Sequence, residues 1–278
     1  MPLIGFGTWV DVHGGQNPSI MKLATQNALH VGYRHFDMAF NYGTEDFVVD
    51  SIIQSGISRD QIFLTNKSGF PPDIEILSSR LNQIGYYDLF LLHHPPLGLA
   101  SEFKTTLTNY WIQMNNLLNS GLIKAIGVSN FYDRQLAILL DICREFNLVK
   151  PCVNQIELHP YNQNWDLGFY CQMNNIQVVA HTPLGGLAAG YILQSEIIKD
   201  IADEIGATPA QVVLASTLKR GIGVIPRSLK KERMIENLDS ANFISSITDL
   251  HLELLRTLDA NYPMVMLSST SHSFNAEL

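Results

Sequence analysis

The chain has 278 residues, 46% of them hydrophobic and only 16% charged, which excludes disorder and asks most elements to be buried on more than one side. Its formal charge of −8, from 18 basic against 26 acidic residues, disfavours a nucleic acid or an anionic membrane as the main partner, because the mean field repels both. No run approaches the roughly 18 apolar residues of a spanning helix, MPLIGFGTW lacks a signal-peptide pattern, and Cys143, Cys152 and Cys171 show no metal or CxxC spacing, so the expectation is a cytoplasmic protein with reduced thiols.

Short apolar runs alternate with segments of helical period along the whole chain. Strands are expected at residues 4–8, 33–37, 62–67, 88–93, 125–129, 153–157, 178–181 and 223–226. Asn17-Pro18 is a cap and first-turn proline before Ile20, Leu23, Ala24 and Ala28, and Gly32 stops that helix. Asp133 is expected to cap a helix through Leu136, Leu139 and Leu140, and Thr208-Pro209 another through Val212, Val213 and Leu214. A last helix, capped near Thr248, lies outside the alternation, and the Ser-rich residues 268–278 read as a mobile tail.

Eight strand–helix units with no linker between them predict an α/β fold, a (β/α)8 TIM barrel forming one domain over 1–278 with an extra C-terminal helix. The rival open sheet would carry GxGxxG after its first strand, and GFGTWVDVHGG fails that spacing. In a barrel, chemistry belongs at the C-terminal ends of the strands. Asp37, Lys67 and His93 close three successive strands there, and Tyr42 leaves the first of them on its loop. Any one of these, taken alone, is a solvated rim charge. Together they describe a proton-transfer site in which Lys67 is expected to lower the Tyr42 pKa, Asp37 holds Lys67, and His93 donates to a carbonyl oxygen.

GYRHFDMAFNYGTED, IFLTNK, DLFLLHHP, GLIKAIGVSNF, NQIELHP and VIPRSLKKERMIEN occur in this order over nearly the whole chain and are similar to the successive signatures of the aldo-keto reductases. The resemblance implies an (α/β)8 barrel that reduces aldehydes and ketones with NADPH/NADP+, Tyr42 being the proton donor, Asp37 and Lys67 tuning it and His93 orienting the carbonyl. It places Ser129, Asn130 and Gln155 against the nicotinamide carboxamide, and Gly7, Thr8, Asp37, Thr182 and Leu184 along the cofactor. Arg227, Ser228, Arg233, Glu236 and Asn237 match the adenosine-phosphate segment, where two guanidiniums beside a hydroxyl suit a 2′-phosphate.

Several positions depart from the family pattern. His181 stands where an aromatic residue usually stacks on the nicotinamide, so cofactor affinity is expected to vary between roughly pH 5.5 and 8. His94 replaces a common aromatic residue and makes that wall more polar. Trp9, His94 and Trp111 are the expected substrate contacts. The loops at 95–99 and 185–193 are short, which predicts an open pocket.

Two other readings stand beside the reductase: a catalytically silent NADP(H)-binding barrel acting as a sensor or partner subunit, and a metal-dependent hydrolase drawing ligands from His35, Asp37, Lys67, His93, His159 and His181. No metal is expected for the favoured reading. The expected partner is a small carbonyl substrate, with no nucleic acid or membrane, on a monomer or weak homodimer.

Overall fold

The computed structural model describes residues 1–11 and 15–264. Each expected apolar run holds a parallel strand: β1 Phe6–Gly7, β2 His35–Asp37, β3 Phe63–Ser68, β4 Leu89–Leu92, β5 Ile126–Ser129, β6 Val153–Glu157, β7 Gln177–His181 and β8 Gly223–Ile225. Each pairs with the next in chain order. The circle closes where Ile4 bridges Val224, with Gly5 N donating to the Val224 carbonyl at 2.9 Å and Val224 N to the Leu3 carbonyl at 2.7 Å. This is a (β/α)8 barrel. No helix among the described residues is long and apolar enough to cross a membrane.

Strand periodicity divides the apolar residues into two cores. Phe36, Leu64, Phe90, Val128 and Val224 pack outward against the helices, whereas Leu89, Leu91, Val153, Val179 and Ile225 form a separate cluster inside the barrel. Gly127 of β5 belongs to that inner layer, where a Cβ would stand 2.7 Å from the Val153 carbonyl oxygen and 2.8 Å from Leu91 Cδ2. Only glycine fits there.

The helices are α1 Ile20–Val31, α2 Glu45–Gln54, α3 Ile74–Leu81, α4 Ala100–Asn119, α5 Asp133–Glu145, α6 Trp165–Met173, α7 Ala189–Leu193, α8 Glu196–Ile205, α9 Pro209–Lys219, α10 Lys231–Asp239 and α11 Asp249–Arg256. Thr208 caps α9 as expected: its hydroxyl accepts from Gln211 N at 3.2 Å and the Gln211 side chain returns to Thr208 N at 3.0 Å. Thr248 caps α11. The expected cap of α5 is off by one. Asp133 is already helical, and the chain enters at Tyr132, whose N–H donates to Gln135 Oε1 at 2.9 Å. The expected tail at 268–278 lies outside the described residues.

Candidate active site

On β2, His35 and Asp37 point into the barrel one layer apart, and Thr65 and Lys67 do the same on β3. The lower layer joins His35 Nε2 to Thr65 Oγ1 at 2.9 Å, with His35 Nδ1 against the Pro2 carbonyl at 3.0 Å. The upper layer joins Lys67 Nζ to Asp37 Oδ2 at 2.5 Å, and Gln155 Nε2 reaches across from β6 to donate to Asp37 Oδ1 at 2.7 Å. Both nitrogens of His35 are thus committed, and Lys67 and Gln155 engage both oxygens of Asp37. That removes two donors from the metal-ligand set considered for a hydrolase. Lys67 is fully buried; desolvation pulls its pKa down, and the Asp37 carboxylate opposes that shift.

Tyr42 ends a 3-10 turn, Phe40–Tyr42, that leaves β2 and turns back at Gly43 with φ 66°. This brings its ring to the mouth, where Lys67 Nζ lies 5.1 Å from the ring centroid. The His93 ring meets the same ring edge to face, centroids 5.7 Å apart at 72°. His93 sits there because its N–H donates to the Ser68 carbonyl at 2.8 Å, tying the end of β4 to the end of β3. The expected downward shift of the Tyr42 pKa is reversed. Burial and the Asp37 charge hold the phenol well above its ordinary value, and with Asp37 2.5 Å from its amine Lys67 does not offset them. His93 is pushed down to about 2, first by burial and then by Lys67, His94 and His181, so it is a neutral imidazole at neutral pH.

Ser129, Asn130, Gln155, His181 and Thr182 form one polar chain at the ends of β5, β6 and β7. Ser129 Oγ donates to the Gln155 carbonyl at 2.8 Å. Asn130 Nδ2 donates to the His93 carbonyl at 3.0 Å and to Ser129 Oγ at 3.1 Å, while Asn130 Oδ1 meets His181 Nε2 at 2.9 Å. Thr182 Oγ1 lies 3.1 Å from His181 Nδ1. Burial pushes His181 down to about 4, against the nearby Glu157 carboxylate. This moves the pH window expected for cofactor affinity: His181 is already neutral across pH 5.5 to 8, and its titration falls near 4.

Past β8, Arg227 is half-buried, donates to Gln16 Oε1 at 2.7 Å and places its guanidinium 5.8 Å from the Trp9 ring centroid. Its Nε is buried without a partner among the described residues. Ser228 Oγ accepts from Lys230 N at 3.0 Å, turning the chain into α10. In α10, Arg233 is exposed, Glu236 half-buried and Asn237 buried. Across the barrel seam, Gly7 lies so close to β8 that a Cβ would meet Ile225 Cγ2 at 3.3 Å. Thr8 Oγ1 donates to the Asp37 carbonyl at 2.8 Å, and Leu184 is half-buried after β7.

The model of the Aldo/keto reductase family matches residues 3–255. The chain belongs to the aldo/keto reductase family. It is 32% identical to Aldo-keto reductase family 1 member A1 of Xenopus tropicalis, covering 96% of this chain and 88% of the relative. It is 31% identical to the NADP-dependent D-sorbitol-6-phosphate dehydrogenase of Malus domestica, covering 97% and 94%. A solved aldo-keto reductase from a Medee basin deep-sea metagenome library superposes with a TM-score of 0.83 at 31% identity, covering 94% of this chain and 93% of the other. Membership makes the chain a carbonyl oxidoreductase in general.

Within this aldo/keto reductase the expected substrate contacts divide. Trp9 is 45% exposed beside Arg227, and His94 is half-buried, stacked on His93 with centroids 6.1 Å apart. Trp111 does not reach the mouth. It is fully buried on α4, and its indole N–H donates to the Val149 carbonyl at 2.8 Å, so it is a packing residue. Residue reasoning also missed Gln16, which holds Arg227 from 211 positions away with no motif to announce it, and Met264, whose N–H donates to Glu157 Oε1 at 2.5 Å. The 95–99 loop leads directly into α4, and α7 with its preceding turn fills the 185–193 loop.

Proposed function

We propose that the protein reduces an aldehyde or ketone to the alcohol with NADPH, Tyr42 giving the proton. The observation that carries this reading is the meeting of Tyr42, Lys67, Asp37 and His93 at one mouth, with the phenol ring beside both an ammonium and a neutral imidazole. The chemistry of the residues around that mouth fits a phosphorylated dinucleotide. Among the described residues Arg227 keeps a buried Nε without a partner, and Ser228, Lys230 and Arg233 add a hydroxyl and two cations on the same segment. Ser129, Asn130, Gln155 and His181 would hold the nicotinamide end, and Gly7, Thr8, Thr182 and Leu184 would flank it. When bound, NADPH supplies the hydride.

The raised pKa of Tyr42 keeps its proton in place until negative charge develops on the substrate oxygen, the moment at which a phenol can give it up. The ammonium of Lys67 then faces the phenolate left behind. Asp37 keeps Lys67 charged against desolvation, and Gln155 holds Asp37 from the opposite wall. Neutral His93 offers an N–H to the carbonyl oxygen and orients it without competing as an acid. His94 and Trp9 would line the substrate side. The test is an initial-rate panel of aldehydes and ketones with NADPH and with NADH. Carbonyl-dependent oxidation of NADPH, faster than that of NADH, is expected; no carbonyl-dependent oxidation of either would overturn the reading.

A further inference from the structure

The hydrogen-bond directions between β4 and β7 follow from a single carbonyl. The backbone oxygen of His93 can only accept, so the Asn130 side-chain atom 3.0 Å from it is the amide nitrogen. Asn130 Oδ1 therefore faces His181 Nε2 at 2.9 Å and can only accept, so Nε2 carries the imidazole proton. Nδ1 is left as an acceptor for the Thr182 hydroxyl at 3.1 Å. Every link is thereby directed: Thr182 to His181, His181 to Asn130, Asn130 to His93. Two members of this hydrogen-bonded series adopt left-handed backbone, Asn130 at φ 62° and Thr182 at φ 54°. A β-branched residue is rarely found there, and such strain persists where surrounding contacts over-determine it.

We propose that His181 is a positioning residue for His93, acting through Asn130: as the Nε2–H tautomer it fixes the Asn130 amide, which in turn holds the His93 carbonyl and with it the imidazole at the mouth. A flat ring alone does not do this, because a phenyl group has no proton to give Asn130 Oδ1 and would leave that oxygen without its partner. The groups that face His181 are Glu157 at the end of β6, His159 beyond it, Lys67 on β3 and Asp37 on β2, and their mixed signs leave burial as the dominant influence on its charge. The inference rests on the reductase reading for its kinetic consequence but not for its geometry.

Two measurements test it. In the uncomplexed full chain labelled with 15N-histidine, His181, assigned by comparison with His181→Phe, is expected to show a protonated Nε2 and an unprotonated Nδ1 at neutral pH; an Nδ1–H tautomer would overturn the proposal. In kinetics, His181→Phe keeps a ring but loses the Nε2 proton, so kcat/KM for the carbonyl, measured at saturating NADPH, is expected to fall on the order of tenfold. His181→Gln places an amide N–H near the position of Nε2 and is expected to recover most of that loss. His181→Asn, which reaches only the Nδ1 position, is expected to recover none. Equal rates for the Phe and Gln variants would overturn the proposal. If the wild-type chain turned over no carbonyl, the reductase reading would fail by itself and the 15N spectrum would still decide the tautomer.

Discussion

Lys67 Nζ stands 2.5 Å from Asp37 Oδ2 inside the barrel, and neither side chain is more than 5% exposed. A pair so deeply buried is held by mutual neutralisation, because either charge alone would be stranded away from water. Lys67→Met is therefore expected to destabilise the protein by about 3–5 kcal/mol, and the double variant Asp37→Asn with Lys67→Met to recover much of that loss. Urea unfolding of the wild type, both single variants and the double variant checks this. Carbonyl reduction is expected to stay low in all three variants, since Lys67→Met and the double variant lack the amine and Asp37→Asn loses the carboxylate that keeps Lys67 charged against desolvation.

Acid is expected to weaken the fold through histidines that burial keeps neutral. His181 titrates near 4 in the folded chain against 6.5 ordinarily, and His93 lower still. Between those values the unfolded chain takes up protons that the folded chain refuses. Stability from these groups is complete above about pH 6.5; the His181 share is lost as the pH falls toward about 4 and the His93 share as it falls toward about 2. Urea midpoints at about pH 7.5 and about 4.5 measure the loss, and His181→Phe is expected to show a smaller one.

The two tryptophans are expected to behave oppositely. Trp111→Ala should cost about 3–5 kcal/mol of stability, because it empties a fully buried site and removes the indole hydrogen bond to the Val149 carbonyl. Trp9→Ala is expected to change stability by no more than about 0.5 kcal/mol while raising KM for the carbonyl. Thermal unfolding and steady-state kinetics on both variants separate the roles.

Arg227→Leu removes the guanidinium whose Nε stands unpartnered among the described residues past β8. If that group meets a 2′-phosphate, KM for NADPH rises by about tenfold or more and KM for NADH stays within about twofold. Equal changes with both cofactors would place the phosphate elsewhere.

Much of this was legible in the sequence because it is local. β6 runs over the expected residues without adjustment, since Val153 to Glu157 is a short segment bracketed by Pro151 and Pro160. Asp37, Lys67 and His93 could be placed at one mouth from strand ends alone. What stayed hidden depends on distance or direction. The helical period of α4 does not say which buried face Trp111 joins. The direction of the Tyr42 pKa is not legible because it depends on burial, which raises it most, and on the charge of Asp37, which raises it further. The bond from His181 to Asn130 spans 51 positions, and no motif encodes it.

Tyr42→Phe tests the central claim most directly, with NADPH binding and carbonyl reduction measured on the same preparation. The account predicts an unchanged Kd for NADPH and a fall in kcat of at least about a hundredfold, the share a positioned general acid supplies. Wild-type turnover in the Phe variant would contradict it, because no phenol would then be needed to protonate the substrate oxygen.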